Sequence, residues 1–301
     1  MTHVRARARR WSVLGMLLLA VALVVPDSSR PPIQTALVKV ESATGLDNDA
    51  GVIWILALGS DARPGEPVLA SRADSIHLVG INADTGAATI IGIPRDSYVD
   101  IPGYGKDKIN AAMVYGGPQL EARAVAQMVG ITPDYVFTTS FWDFSRMVWS
   151  IGGVDVHSDH AFSYPLATIR RGVNHLDGVE ALVFVRERHT LPNGDFDRSM
   201  NQGQFLIDGL RQVEAVTETP GGLEKALWTF ARHTDIDVGP VELYRLARAV
   251  VQVDPARVDN CVISGGTGYA GDASVVVPDL AQAHAYAADA GRDATLEHGC
   301  S

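Results

Sequence analysis

Hydrophobic and polar positions change rhythm several times along the chain, and each change marks an element. "VIWILALGS" (52–60) is a continuous apolar run with glycine at either side, the pattern of a strand buried on both faces. "SIHLVGINADTGAATIIGIPRD" reads as two strands joined by "NADTG", with Gly86 at a hairpin turn. "PQLEARAVAQMVG" predicts an amphipathic helix opened by Pro118 and closed by Gly130. "DYVFTTSF" reads as a strand, "WDFSRMVWSIGG" as a helix ended by glycine, and "VDVHS" as a short extended piece. "GVEALVFVRER" reads as a helical turn or loop feeding a strand. In "RSMNQGQFLIDGLRQV" the apolar Met200, Leu206, Leu210 and Val213 recur at helical spacing, and further helices are predicted over about 222–232 and 240–251. "DNCVISGGTGYAGDASVVVPD" closes with strand-like runs around a glycine-rich turn. Strands and helices alternate without a compositional break or an internal repeat. The expectation is one α/β domain, a three-layer α/β/α sandwich around a central mixed sheet.

The two ends read differently. "MTHVRARARRW" carries four arginines and no acid, and "WSVLGMLLLAVALVV" then runs apolar to Pro26, the signature of export with the N-terminus inside. As a helix this run spans about 22 Å, short of the roughly 30 Å bilayer core unless the flanking arginines snorkel. The organisation expected is a cytoplasmic basic tail (1–10), an uncleaved signal-anchor (11–26), a linker (27–50), a catalytic domain (51–290) and a C-terminal tail (291–301). A cleaved signal peptide is the alternative, with "LAVA" offering small residues for processing. The domain would then lie outside the cell membrane on a single-pass anchor. In that compartment the two cysteines, Cys261 and Cys300, default to one disulfide; two free buried thiols are the rival reading.

Composition adds exclusions. Of 301 residues 47% are hydrophobic, and the net charge is -10. An acidic chain without a basic recognition helix argues against nucleic-acid binding, yet a concentrated basic pocket can still hold an anion. Four polar segments punctuate the strands: "LGSDARPG", "SRADSI", "IPRDSYVDIPGYGKDKINAA" and "RERHTLPNGDFDR". Asp61 and Asp74, ending adjacent elements, suit a hard cation that takes one or two carboxylates plus substrate phosphates. The alternative is that each caps a turn or pairs with an arginine. Arg186 and Arg188 are two apart, so on a strand they share a face with Leu182 and Phe184. Arg198 and Gln202 are four apart at a helix start, where Asp195 or Asp197 would be the cap and free N–H groups would face an anion. Any one arginine reads as a solvated salt bridge. The set of Arg72, Arg95, Arg186, Arg188 and Arg198 reads as a phosphate site, and two phosphates suit it better than one. "HSDH" lacks a third ligand for zinc, and "GGTGYAG" lacks the Lys-Ser/Thr of a P-loop. No G-x-S-x-G elbow occurs, so a serine hydrolase is poorly supported.

In order and spacing, "LGSDAR", "SRADSI", "IPRDSYVDIPGYGKDKINAAMVYGG", "VFVRERHTLPNGDFDR" and then Gln202 resemble the LytR–CpsA–Psr family over about residues 51–290. The resemblance implies an α/β/α phosphotransferase outside the cell membrane. It would move a glycopolymer from a polyprenyl-pyrophosphate carrier to peptidoglycan through a phosphodiester, with Mg2+ or Mn2+. By the same resemblance Asp61 and Asp74 hold the metal beside Arg72. Arg95, Arg186, Arg188, Arg198 and Gln202 grip the pyrophosphate, and Asp195 orients an arginine. Asp96, Lys108 and Asn110 fall in the matching segment as direct or supporting groups, with Asp96 or Asp195 as any base. "TIIGI" and "VFTTSF" would help line a slot for the carrier's tail. Three departures stand out: Asn201 where the family often has arginine, Gly203 where a second glutamine is common, and Asp197 in place of glycine. They loosen the positive charge at one edge of the site. They also keep open a membrane regulator that binds polyprenyl phosphate with little catalysis, and a pyrophosphatase using the same residues on water.

Overall fold

The computed structural model describes residues 34–43 and 51–300. The expected tail and anchor (1–26) lie outside the described residues. Among those described, no helix is long and apolar enough to cross a membrane.

Seven strands form one mixed sheet: β1 (Thr35–Lys39), β2 (Ile53–Ser60), β3 (Ala73–Asn82), β4 (Ala87–Gly92), β5 (Tyr135–Ser140), β6 (Asp235–Ile236) and β7 (Val258–Val262). Their spatial order is β6-β1-β5-β2-β3-β4-β7. The β2–β3–β4 meander is antiparallel, while β2–β5, β4–β7 and β1–β6 are parallel. Gly86, at φ 71, makes the β3–β4 turn as expected. Among the described residues seven α-helices surround the sheet: α1 (Ala112–Val129), α2 (Phe141–Ser150), α3 (Gly178–Arg186), α4 (Asp195–Thr217), α5 (Gly222–His233), α6 (Pro240–Val251) and α7 (Leu280–Asp293).

Alternation along β2 divides the molecule. Trp54, Leu56 and Leu58 point into a fully buried core with Ile76, Leu78, Val125 of α1 and Tyr286 of α7. Gly80 faces Trp54 across the ladder; a Cβ there would meet the indole at 2.6 Å, so only glycine lets this ring lie flat on β3. Ile53, Ile55, Val79 and Ala88 point the other way, toward Leu210 of α4, Phe230 of α5 and Leu243 of α6. A third cluster, Val154, Val156, Phe162, Ile169, Phe184 and Phe205, packs α2 and α3 against two short hairpins. The α/β/α sandwich expected from the sequence is present.

Two boundaries and three elements differ from expectation. Thr35–Lys39, assigned to the linker, is a strand in register with β5 and β6. Its short "TALVK" run follows polar and proline residues that masked it. The expected C-terminal tail is part of the domain, since α7 reaches Asp293 and Leu296 is buried. "GVEALVFVR" is a helix, not a strand: Asp177 and Glu180 form a capping box, and that start signal outweighs the β-branched residues after it. The proline-opened helix starts six residues earlier, at Ala112, and kinks at Gly116 and Gly117 before Pro118. On α4 the buried apolar side chains are Phe205 and Ile207, while Met200 and Leu206 are exposed.

Cys261 and Cys300 are bonded, with Cα atoms 5.3 Å apart, closing a loop across 39 positions. Replacing Cys300 by serine frees that loop and should lower stability by about 2–4 kcal/mol. Urea unfolding of the oxidised protein and of Cys300→Ser should show a lower midpoint for the variant.

Candidate functional site

The polar segments of the sequence meet at one end of the sheet. Asp74 opens β3, Arg95 follows β4, Arg186 ends α3, and Arg198 lies in the first turn of α4. Together with Arg188 and Gln202 they line one pocket of about 530 Å³. Arg95 Nη1 lies 2.7 Å from Asp74 Oδ1, and Arg198 Nη2 lies 2.7 Å from Asp195 Oδ1. Arg188 approaches the same Asp195 oxygen at 3.7 Å. Arg186 has no ion-pair partner among the described residues; its guanidinium lies 4.8 Å over the Phe141 ring.

Desolvation governs the electrostatics. Burial pushes the Arg198 guanidinium down, Asp195 pulls it back up, and Arg95 repels it. Burial likewise works against Arg95, but Asp74, Asp195 and Asp96 outweigh it and hold its pKa above the usual value. The Nε groups of both arginines are buried and have no hydrogen-bond partner. Buried donors are almost always satisfied; Asp96 Oδ2 approaches Arg95 Nε only to 3.8 Å, beyond hydrogen-bond reach. Four guanidiniums beside three carboxylates (Asp74, Glu187 and Asp195) leave the pocket formally positive.

Other predicted residues sit around this centre. Asp96 pairs with Lys108 at 2.8 Å. Asn110 donates its backbone N–H to the Arg95 carbonyl, and its buried side-chain oxygen has no partner. Arg72 and Asp61 are exposed and joined by an Asp61 N–H to Arg72 carbonyl bond of 3.1 Å. Asp61 is raised by partial burial and then by the charge of Asp74, against the pull of Arg72. The charge of Asp74 thus reaches Asp61, while Asp74 itself is paired with Arg95 at 2.7 Å. No group of three or more metal-capable residues occurs among the described residues.

Three local expectations change. Arg186 and Arg188 reach the pocket from a helix C-terminus and the residues beyond it, where positive charge also complements the helix dipole. The N-cap of α4 is Gly194, with no side-chain cap; Asp195 is committed to arginines, and Asp197 accepts from the Asn193 backbone and amide. Asp197 thus fastens the preceding loop. Gly203 also has a packing cause, since a Cβ there would meet Asn260 Oδ1 at 2.0 Å.

Beside the pocket a second, apolar cavity of about 730 Å³ lies between the sheet and the helices α2, α4, α5 and α6. Ile55, Ala57, Val79, Ile90 and Phe137 floor it, and Phe144, Leu210, Phe230 and Leu246 cover it. Phe141 and Gln202 border both spaces. Gln202 is fixed by donating to the Val185 carbonyl at 2.8 Å.

Sequence reasoning missed two buried groups behind the site. His77, lining the cavity, donates from Nε2 to the Ser199 carbonyl (3.0 Å) and accepts from Ser75 at Nδ1 (3.2 Å), which ties α4 to β3. Burial lowers its pKa to about 4, so the ring is neutral. Glu121 is buried near the α1 kink and accepts from Met113 N–H at 2.9 Å, bracing the turn after Lys108 and Asn110. A polar residue inside an apolar helical period was the available signal for Glu121.

This is an α/β/α domain with an arginine-lined pocket that shares Phe141 and Gln202 with an apolar cavity. The chain belongs to the LytR_cpsA_psr family, whose model matches residues 29–289. It is 32% identical over 248 residues, 78% of either chain, to the polyisoprenyl-teichoic acid–peptidoglycan teichoic acid transferase TagU of Bacillus licheniformis. It is also 32% identical over 233 residues to the probable cell wall biosynthesis protein LcpB of Corynebacterium glutamicum; the match covers 73% of this chain but 55% of LcpB. In fold it resembles TagV of B. subtilis (TM-score 0.64, 24% identity, 78% of this chain and 94% of TagV). TagT solved with octaprenyl pyrophosphate gives a TM-score of 0.61 at 23% identity, over 81% of this chain and 92% of TagT.

Burial pushes the Glu121 carboxyl from 4.5 to about 8. The folded chain then keeps a proton that the unfolded chain releases between these values, so this group's contribution to stability falls as pH rises through that window. Unfolding free energies at pH 5 and pH 8 should show a larger alkaline loss in the wild type than in Glu121→Gln.

Proposed function

We propose that the protein is a membrane-anchored phosphotransferase outside the cell membrane, moving a glycopolymer from a polyprenyl-pyrophosphate carrier to peptidoglycan. One observation carries this reading: the positive pocket and the apolar cavity share Phe141 and Gln202. A polyprenyl pyrophosphate has the same two-part form, a multiply charged head on a long hydrocarbon. The transferase name of TagU and the octaprenyl pyrophosphate in a TagT structure support it. The arginine-led apolar segment (11–26) and the disulfide support the location.

Arg95 and Arg198, whose buried Nε groups make no hydrogen bond, and Arg186, with no competing carboxylate, would take the pyrophosphate oxygens. Arg188 and the uncapped N-terminus of α4 add positive potential on the same side. Asp61 and Asp74 would hold Mg2+ or Mn2+, which supplies further charge neutralisation to the phosphates. An acceptor hydroxyl forms a bond to the glycan-bearing phosphorus as the bridging P–O bond breaks. The lipid phosphate leaves with the electron pair, and the hydroxyl proton passes to solvent or to that phosphate. Such transfer depends on positioning and charge stabilisation more than on a strong base. That suits a site in which Asp74, Asp96 and Asp195 are all committed to cations. The packing reason for Gly203 weakens one of the two departures that favour a non-catalytic regulator and leaves Asn201 as the other.

The test uses the full chain in detergent with a polyprenyl-pyrophosphate glycan donor and wall glycan acceptor. Arg186→Ala should lower transfer by roughly 100-fold or more. Its stability should stay within about 0.5 kcal/mol of the wild type, because the exposed side chain holds no ion pair. Unimpaired transfer by a folded Arg186→Ala protein would overturn the site. Ala57→Trp, which fills the cavity floor, should weaken retention of the long-chain lipid roughly tenfold or more. Inorganic pyrophosphate should still bind that variant.

A further inference from the structure

The arginine pocket has a second wall that phosphate chemistry does not use. A short hairpin, Phe162–Tyr164 paired with Ala167–Ile169, carries Pro165 and Leu166 at its tip. Tyr164, Pro165 and Leu166 line the pocket together with Val179, Leu182 and Val183 of α3. Leu166 is 68% exposed and Tyr164 38% exposed, so two large apolar side chains stand in solvent at the rim of a charged site. The hairpin is not loose at its base. Phe162 is buried against the Phe184 ring at 6.4 Å, and the Tyr164 ring meets Phe162 edge-on at 6.2 Å.

The tip is also fastened to the phosphate-binding segment. The Tyr164 hydroxyl favours the charged form of Glu187, which lies between Arg186 and Arg188 in sequence and lines the same pocket. Glu187 is buried and also accepts from the Thr190 N–H at 2.8 Å and the Thr190 hydroxyl at 3.3 Å. Burial works against its charge, yet the bonds from Tyr164, Thr190 and His189 outweigh that and hold its carboxyl below the usual range. Glu187 thus sits between the apolar rim and the arginines with its carboxylate fixed by Thr190.

We propose that this wall is the subsite for the acceptor saccharide; the assignment rests on the phosphotransferase reading. A pyranose ring has a C–H face and a hydroxyl edge. The Tyr164 ring and Leu166 offer an apolar surface to the first, and Arg188 and His189, at the same pocket, offer donors to the second. Reaction geometry selects acceptor over donor. Attacking and leaving oxygens lie roughly in line across the phosphorus. The departing lipid phosphate belongs at Phe141 and Gln202, where the pocket meets the apolar cavity. The nucleophile must then approach from the part of the pocket that does not border the cavity, and Tyr164 to Leu166 occupy that part.

Binding of a β-1,4-linked N-acetylglucosamine tetramer, a soluble analogue of a wall glycan strand, tests this by titration calorimetry on the full chain in detergent. Retention of polyprenyl pyrophosphate is measured in parallel. The wild type should bind the tetramer. Tyr164→Ala and Leu166→Asp should each weaken it tenfold or more, with lipid retention within twofold of wild type. Tyr164→Phe, which keeps the ring and loses only the Glu187 bond, should stay within threefold. The subsite is overturned if the wild type ignores the tetramer at millimolar concentration, or if Tyr164→Ala and Leu166→Asp bind it unchanged. It is equally overturned if both variants lose lipid in proportion, which would put the hairpin on the donor. Failure of the phosphotransferase reading shows separately, as a wild type that retains no polyprenyl pyrophosphate.

Discussion

Like charges crowded into a small space set the terms for this structure. Arg95, Arg186, Arg188 and Arg198 all reach one pocket, and Arg95 disfavours the charge on Arg198. They stay together because Asp74 and Asp195 are interleaved between them at 2.7 Å contacts. Burying ions costs several kcal/mol each unless partners compensate, and here compensation is deliberate but incomplete. Two Nε donors remain without acceptors. Much of the surrounding fold serves this tension: His77 ties Ser199 to β3, Glu121 braces the turn beyond Asn110, and Gln202 joins α4 to the end of α3.

The apolar cavity is the second constraint on the fold. One face of β2 is sealed under α1 and α7, while the other leaves Ile55 and Ala57 only partly covered. An empty apolar space of this size forfeits dispersion contacts on every wall. The fold tolerates it because the sealed face supplies the main core. A hydrocarbon chain entering the cavity would restore those contacts, while the arginines draw the head to its mouth. Affinity and orientation then come from opposite ends of the same ligand.

Legibility in the sequence varied with range. The strands at 53–60, 73–82, 87–92 and 135–140 were readable because period and turn signals are local. The arginines and aspartates were readable as a set because they follow apolar runs at strand and helix ends. Thr35–Lys39 was missed because a five-residue strand beside prolines has no periodic signature, and its pairing comes from β5, a hundred residues away. Arg186 was put on a strand because "ALVFV" suits either state; the capping box at Asp177 decided the matter. Asp197 and Gly203 looked like a weakened anion site until Asn193 and Asn260 were seen beside them.

The sequence by itself determined the alternation of elements, the chemistry of the polar segments and the cluster of guanidinium groups. Those properties belong to residues and their near neighbours. Only the tertiary structure decided which carboxylate holds which arginine, and whether an apolar position faces core or cavity. Leu56 and Ala57 are adjacent and equally apolar in the chain, yet one lies in the sealed core and the other on the cavity floor. The reason is physical: an apolar pattern records that a side chain leaves water. What it then meets is fixed by elements far away in sequence.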